Sequence, residues 1–208
     1  MPSLLSLLTD PDAFLAAKES DWGYLRPGLL VAATGVIGAV NAYLWSHILM
    51  GVLPPNAQQF GTIAAVFGAI AAFVAAFFVW GIVAVVFFVF SVFFDGDGSL
   101  GKAFAFTGWG FLPRVFGGLV SVVVTYVGLE GVTAPSSPAQ AATFTQSLQH
   151  QPIFLVGSLV GIAFLLWEGF IWTFAIKHAR GLDLRDAAIV VYLPVGLYAL
   201  YQLFTTLT

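Results

Sequence analysis

Long runs without a charged residue dominate the hydropathy pattern of this chain. Lys, Arg, Asp and Glu are absent from two early runs, and three later apolar segments carry at most one of them each. A helix needs about 20 apolar residues to cross a bilayer core about 30 Å thick. We therefore predict five membrane spans, at residues 29–49, 60–94, 113–129, 153–176 and 187–207. The second run is too short for two spans with a turn, so it predicts one long, tilted helix.

A short helix is also predicted in the segment before the first span, residues 1–26. Asp10 followed by Pro11 is typical of a helix start. Proline lacks a backbone N–H, and an N–H in the first turn has no helical partner in any case. The residues that follow are amphipathic. We expect this helix to lie on the membrane surface with Phe14 and Leu15 against lipid.

Two connections between spans carry similar helix signals. Ser99 or Asp97 is placed to cap a short interfacial helix at residues 100–108, before the third span begins at Pro113. The polar connection after the third span contains a second candidate, a surface helix at 138–150 capped by Ser137.

Composition decides which solvent surrounds these helices. Of the 208 residues, 60% are hydrophobic and only 8% are charged, whereas soluble domains carry about 25% charged residues. We therefore expect a single all-α domain over residues 1–208, a polytopic bundle of five transmembrane helices in the cell membrane with lipid as its surroundings. There is no cysteine for a disulfide or a thiolate. The small net charge of −3 argues against nucleic acid as a partner.

The basic residues predict how the bundle is oriented. In a five-span arrangement all seven precede the first span or lie in the connections between spans two and three and between spans four and five. They are Lys18, Arg26, Lys102, Arg114, Lys177, Arg180 and Arg185. Because cytoplasmic loops retain Lys and Arg, this separation predicts a cytoplasmic N-terminus and a C-terminus on the outside.

Several segments resemble the Yip1 domain family. Residues 98–113, GSLGKAFAFTGWGFLP, have a glycine-rich turn, a short helix and an aromatic-Leu-Pro start to the third span that ends in Pro113. The region of the fourth span that ends in Trp172 and the loop 178–187, HARGLDLRDA, are also similar, as is the N-terminal LTDPDAF at 8–14. The resemblance covers nearly the whole chain.

This resemblance implies an integral membrane protein with a cytoplasmic N-terminus. Eukaryotic members act in vesicle trafficking, bind small GTPases and associate with one another, while most prokaryotic members have no assigned activity. Only about 26 residues precede the first span here, so we expect no GTPase-binding N-terminal domain. We do expect contact with lipid, and association with further copies of the chain or with other membrane proteins.

Glu168 is the candidate for a polar site inside the membrane. An ionisable group within a span costs several kcal/mol unless it faces protein or water. Arg114 can reach inward along its own aliphatic stem to meet it, which predicts a pair joining spans three and four. Two interpretations stay open: the pair is purely structural, or Glu168 is a proton or cation site in a cavity.

Small residues predict where helices pack closely. Span two carries such residues at every fourth position, and span four carries two that lie on the same face as Glu168. They are Ala64, Gly68, Ala72 and Ala76 in the first set and Gly157 and Gly161 in the second. Phenylalanines on the rest of span two, Phe67, Phe77, Phe78, Phe87 and Phe88, are then expected to face lipid. Four tryptophans, Trp22, Trp45, Trp109 and Trp172, are expected to anchor the helices at the interface.

No motif in the chain predicts an enzyme, a metal or a cofactor. There is no His-Glu-x-x-His helix, Gly-x-Ser-x-Gly elbow or phosphate-binding glycine loop with lysine. His47 and His150 fall on the same predicted side, but their spacing does not require a shared metal. Two functions remain: a membrane interaction or scaffold protein without substrate turnover, or a small transporter or channel built around Glu168 and Arg114.

Overall fold

The computed structural model describes residues 4–51, 53, 55–133 and 140–207, which form helices and connections without a strand. The helices are α1 (Leu4–Thr9), α2 (Pro11–Ala16), α3 (Leu25–Met50), α4 (Gln58–Val92), α5 (Leu100–Trp109), α6 (Leu112–Leu129), α7 (Ala141–Gln149), α8 (Pro152–Arg180) and α9 (Leu184–Leu207), with a 3₁₀ turn at Pro55–Ala57. Five of these, α3, α4, α6, α8 and α9, are long and apolar enough to cross a membrane. The predicted fold class, an all-α five-span membrane bundle, is confirmed.

Local hydrogen bonds explain where several of these helices begin and end. The Asp10 carboxylate accepts a bond from the backbone N–H of Ala13, which caps α2. Ser99, not Asp97, caps α5 by accepting from the backbone N–H of Lys102. α8 ends at Gly181, whose φ of 65° lies in the left-handed region that glycine adopts without strain. The predicted cap Ser137 lies outside the described residues.

The third crossing of the bundle is made of two helices in series. The prediction that residues 100–108 form an interfacial helix is wrong, because most of α5 is buried among α3, α4 and α8. Gly108 permits this approach, since a Cβ there would lie 2.6 Å from the Cβ of Pro27. Only Gly110 and Phe111 separate α5 from α6, so the chain runs inward through α5 and onward through α6.

The N-terminal helices are also part of the folded bundle. Phe14 and Leu15 are buried in a cluster with residues of α5 and α8, and the Phe14 and Trp109 rings meet edge to face at 5.0 Å. The expectation that these two side chains rest on lipid is therefore wrong. The apolar end of α5 offers them protein surface instead, which buries them as completely as lipid would.

Trp172 and Phe87 lie in the core and not at its outer surface. Both are almost fully buried, and their rings meet at 5.4 Å. Trp172 therefore does not act as an interfacial anchor, and neither does Trp109, which is also buried. On the outward face of α4, Phe67 and Phe78 are exposed as predicted. Phe77 and Phe88 are half-buried.

One end of the bundle carries most of the basic residues. We call it the basic end, and it holds Lys18, Arg26, Lys102, Lys177, Arg180 and Arg185. The start of α3, the end of α4, the start of α5, the end of α8 and the start of α9 meet there. Arg114 is the exception among the cations, because α5 carries it into the interior.

Candidate functional site

Arg114 of α6 and Glu168 of α8 form a two-pronged ion pair between neighbouring spans. Nε of Arg114 donates to Oε1 of Glu168 at 2.9 Å, and Nη2 donates to Oε2 at 2.6 Å. The Glu168 side chain is 3% exposed and the Arg114 side chain 29%. The planar guanidinium fork matches the carboxylate, which makes this one of the stronger kinds of hydrogen-bonded pair.

The pair lies deep in the bundle. Glu168 precedes the last residue of α8, Arg180, by 12 positions, which is about 18 Å along a helix axis. α8 has 29 residues, about 43 Å at the same rise, so the pair lies well inside the bundle. Arg114 reaches this depth because α5 brings the backbone inward, and not by extending its side chain from the surface.

Aromatic rings enclose the pair on the side of the basic end. The guanidinium carbon of Arg114 lies 5.0 Å from the ring centroid of Phe111 and 6.0 Å from that of Trp172. Trp172 is itself held by a bond from Nε1 to the carbonyl oxygen of Thr107, at 2.7 Å. Pro113 lies in the first turn of α6 beside Arg114, where its missing N–H has no helical partner to lose.

On its other side the pair faces a cavity of about 550 Å³, which we call the central cavity. Residues of α4, α6, α8 and α9 line it, and most of their side chains are apolar. Besides Arg114 and Glu168, its polar lining includes Tyr198 and Gln202. These two residues follow Pro194 at four-residue intervals on one face of α9, a spacing that sequence reasoning overlooked.

A second and more polar cavity of about 830 Å³ adjoins the first at the end of the bundle opposite the basic end. We call it the distal cavity. Gly117, Ser121, Gly161 and Gln202 line both. His150 lies in the distal cavity, and no group of three or more potential metal ligands occurs among the described residues.

The two glycines predicted to pack span four against its neighbours have different surroundings. A Cβ at Gly157 would lie 2.8 Å from Val124, so this glycine lets α8 and α6 approach closely. A Cβ at Gly161 would meet no atom within 4 Å. Gly161 therefore widens the space beside the ion pair.

The small-residue ridge of span two is likewise divided. A Cβ at Gly35 of α3 would lie 3.4 Å from that of Ala76, and one at Gly38 would lie 3.8 Å from the carbonyl oxygen of Ala72. This half of the ridge faces α3. The other half does not: Ala64 is exposed, and a Cβ at Gly68 would meet nothing within 4 Å.

A second charged cluster docks the N-terminal helices onto the basic end. Lys177 donates to both carboxylate oxygens of Asp12, at 2.7 and 2.9 Å. The ring nitrogens of His178 face Asp12 at 2.6 Å and Glu19 at 2.5 Å. Hydrogen bonds from Lys177 and then from His178 hold the pKa of Asp12 below its usual value.

Arg180 is a buried cation that the sequence did not identify as special. Its Nε donates to the hydroxyl of Ser91 at 2.7 Å, and its two terminal nitrogens donate to the carbonyl oxygens of Gly98 and Gly96. Its guanidinium carbon lies 4.3 Å from the Phe88 ring centroid. Arg180 thereby fixes the turn that leads into α5.

Comparison with known proteins places this arrangement in a family. An uncharacterized protein of Methanocaldococcus jannaschii is 30% identical over 125 residues, which cover 60% of this chain and 89% of that protein. No solved structure matches the chain. The model of the Yip1 domain matches residues 5–206. With nearly its whole length matched, the chain belongs to the Yip1 domain family.

Proposed function

We propose that this protein is a membrane interaction protein that binds other membrane components and does not turn over a substrate. The observation that carries the proposal is that the Glu168 carboxylate is fully engaged by Arg114. Both of its carboxylate oxygens accept hydrogen bonds from Arg114, and no other acidic residue lies in the interior of the described spans. A carboxylate held in this way stabilises the contact of α6 with α8 and is not free to exchange ions.

The uncovered half of the ridge on α4 supports this proposal. Ala64 is exposed, and half-buried Gly68 has open space where a Cβ would be, so a second helix can approach closely here. The partner surface we propose is therefore this part of α4, and the partner is another transmembrane helix, of a second copy or of a different membrane protein.

Because the natural chain has no cysteine, single cysteines test this surface cleanly. We expect Gly68→Cys to form disulfide-linked dimers in native membranes, or to capture another membrane protein through an attached photo-crosslinker. Ile70→Cys is the matched control, because it is exposed at similar depth on the opposite face of α4. Equal crosslinking from positions 68 and 70, or none from either, would contradict the proposed surface.

We further propose that the basic end lies in the cytoplasm of a cell, which leaves the C-terminus outside. Six cations at one end and none at the described opposite end support this orientation. Labelling of Lys102→Cys and Thr205→Cys with a membrane-impermeant maleimide tests it. Only position 205 should react in intact cells, and reaction at position 102 alone would reverse the orientation.

A second candidate function, a small transporter or channel, is favoured by one observation. The central and distal cavities adjoin, so space extends from the end opposite the basic end to the Arg114–Glu168 pair. In this case proteoliposomes should show proton or cation flux that Glu168→Gln abolishes and Glu130→Gln, at the exposed end of α6, does not. The absence of flux at every pH tested would remove this candidate.

A further inference from the structure

We propose that the central cavity is a binding site for an uncharged, mainly apolar molecule that accepts a hydrogen bond from Arg114 through an oxygen atom. The site does not depend on whether the protein acts as an interaction protein or as a transporter. It rests on Arg114, which has one terminal nitrogen without a hydrogen-bond partner among the described residues and lies at the end of an apolar cavity. Three features of the cavity define the chemistry of its ligand.

The first feature is a free donor group. The bonds to Glu168 use Nε and Nη2 of Arg114, and the described residues provide no partner for Nη1. Nearly a third of the Arg114 side chain is exposed, and it lines the cavity. Because a guanidinium donates and never accepts hydrogen bonds, the group that completes its bonding is an acceptor such as a carbonyl oxygen.

The second feature is the charge balance around this donor. Arg114 and Glu168 together are neutral, and the remaining lining of the cavity contributes no ionised side chain. An additional charge placed here would lose its hydration without gaining a counter-ion, which costs several kcal/mol in a low-dielectric interior. The ligand is therefore uncharged, and the aliphatic and aromatic walls, among them Val83, Phe164 and Leu165, fit an apolar body.

The third feature is unfilled space with access from the membrane. The cavity volume of about 550 Å³ lies within the range of small-molecule sites, about 300–1,000 Å³. Gly161 creates part of this space, because no atom lies within 4 Å of where its Cβ would be. Ile82 of α4 and Tyr198 of α9 line the cavity and are exposed, so a lipid-soluble molecule can enter between these helices.

The probe we choose is 2-methyl-1,4-naphthoquinone, an uncharged bicyclic molecule with two carbonyl oxygens. It quenches tryptophan fluorescence, and Trp172 lines the cavity. The chain has no thiol with which a quinone would react. With the full-length protein in detergent, we expect a saturable quenching component in addition to the linear component that arises from collisions with probe dissolved in the micelle.

Two leucine substitutions test the location of the site. Gly161→Leu should abolish saturable quenching, because its Cβ would enter open space and the rest of the side chain would take up cavity volume. Gly196→Leu is the matched control, since it adds the same side chain to another uncrowded glycine within a span, and Gly196 lines neither cavity. Absence of saturation in the natural protein, or unchanged saturation in Gly161→Leu, would overturn the proposal.

The role of Arg114 is tested from the protein and from the ligand. Arg114→Lys keeps a cation for Glu168 but loses the fork that presents Nη1, and we expect about tenfold weaker binding. If this variant does not fold, 2-methylnaphthalene, which lacks the oxygens, serves instead. As a competitor at matched micelle concentration it should displace the quinone about tenfold less well. Equal displacement, or equal binding by Arg114→Lys, would contradict the hydrogen bond.

Discussion

The middle of the bundle and its basic end are both held by ion pairs, and these pairs differ in depth rather than in geometry. Nη2 of Arg114 lies 2.6 Å from Oε2 of Glu168, and Nζ of Lys177 lies 2.7 Å from Oδ1 of Asp12. The acidic partner is 3% exposed in the first pair and 44% exposed in the second. Contact distance alone would rank the two pairs as equals.

The two ion pairs differ in how easily water reaches their charges. At the basic end, water and salt solvate each charge when the pair opens, so an exposed pair contributes about 0–1 kcal/mol. In the middle of the bundle a charge that loses its partner stays buried, and breaking such a pair costs about 3–5 kcal/mol. The pair at depth therefore determines whether α6 and α8 stay together, while the surface cluster adjusts how the N-terminal helices dock.

Glu168→Ala should have the largest effect on stability. We expect it to lower the free energy of unfolding by about 3–5 kcal/mol, because the Arg114 cation is left in an apolar interior. Reversible unfolding of the purified protein in mixed micelles measures this difference.

Replacing both partners is the control for Glu168→Ala. Arg114→Met with Glu168→Met removes both charges, and an apolar pair of similar volume is often as stable as a buried ion pair. We expect the double variant to recover most of the loss. A double variant that is less stable than Glu168→Ala would show that the uncompensated charge is not the cause.

Arg180 separates the effect of burial from the effect of position, because it lies at the basic end but is buried. Its partners are neutral oxygens of Ser91, Gly96 and Gly98. Arg180→Met leaves these acceptors without a donor, and hydrogen bonds to a charged group contribute about 1.5–3 kcal/mol. We expect a loss of about 2–3 kcal/mol in the same unfolding assay, with faster proteolysis at residues 95–99. A loss no greater than that of Lys102→Met, which removes a half-buried cation at the same end, would mean that burial does not set the size of the effect.

Gly110→Ala probes packing on the aromatic side of the Arg114–Glu168 pair. The new Cβ would lie 2.2 Å from Trp172, and overfilling a packed site costs about 1–3 kcal/mol. Gly161→Ala, on the cavity side, adds a methyl group to open space and should raise stability by about 0.5–1 kcal/mol through helix propensity. Thermal unfolding of the two variants side by side measures this asymmetry. Equal shifts would mean that the two sides are packed alike.

The spans were predictable from the sequence, whereas the depth of the site was not. Uninterrupted apolar runs require helices in lipid, so the five long helices follow from hydropathy alone. The contact between Arg114 and Glu168 followed from their charges and their similar predicted depths. The sequence did not show that α5 enters the bundle, because its Gly, Ala and Phe residues are equally typical of an interfacial helix.

Burial of the aromatic residues was the other failure of sequence reasoning. Trp172 and Trp109 have the composition signal of interfacial anchors, but Gly110 and Gly108 make room for rings and backbone inside the bundle. Arg180 was overlooked because its partners are backbone carbonyl oxygens, which every residue possesses and no motif marks. A cavity at Glu168 was one of the two interpretations left open, but the sequence did not show that Gly161 would leave space there.

Asp12→Asn should have the smallest effect. We expect the free energy of unfolding to fall by less than about 1 kcal/mol, because the carboxylate that is removed is nearly half exposed. Hydrogen-exchange protection should weaken only in α2.

Bonds from Lys177 and His178 lower the pKa of Asp12 in the folded state below its usual 3.8. The stabilisation by this group is therefore complete above pH 3.8 and lost as the pH falls through the lower native value. Protection of α2, corrected for intrinsic exchange rates, should decline more steeply over that acidic range in the natural protein than in Asp12→Asn, which keeps the Asp10 cap. Identical pH profiles for the two proteins would show that the surface cluster does not dock the N-terminal helices.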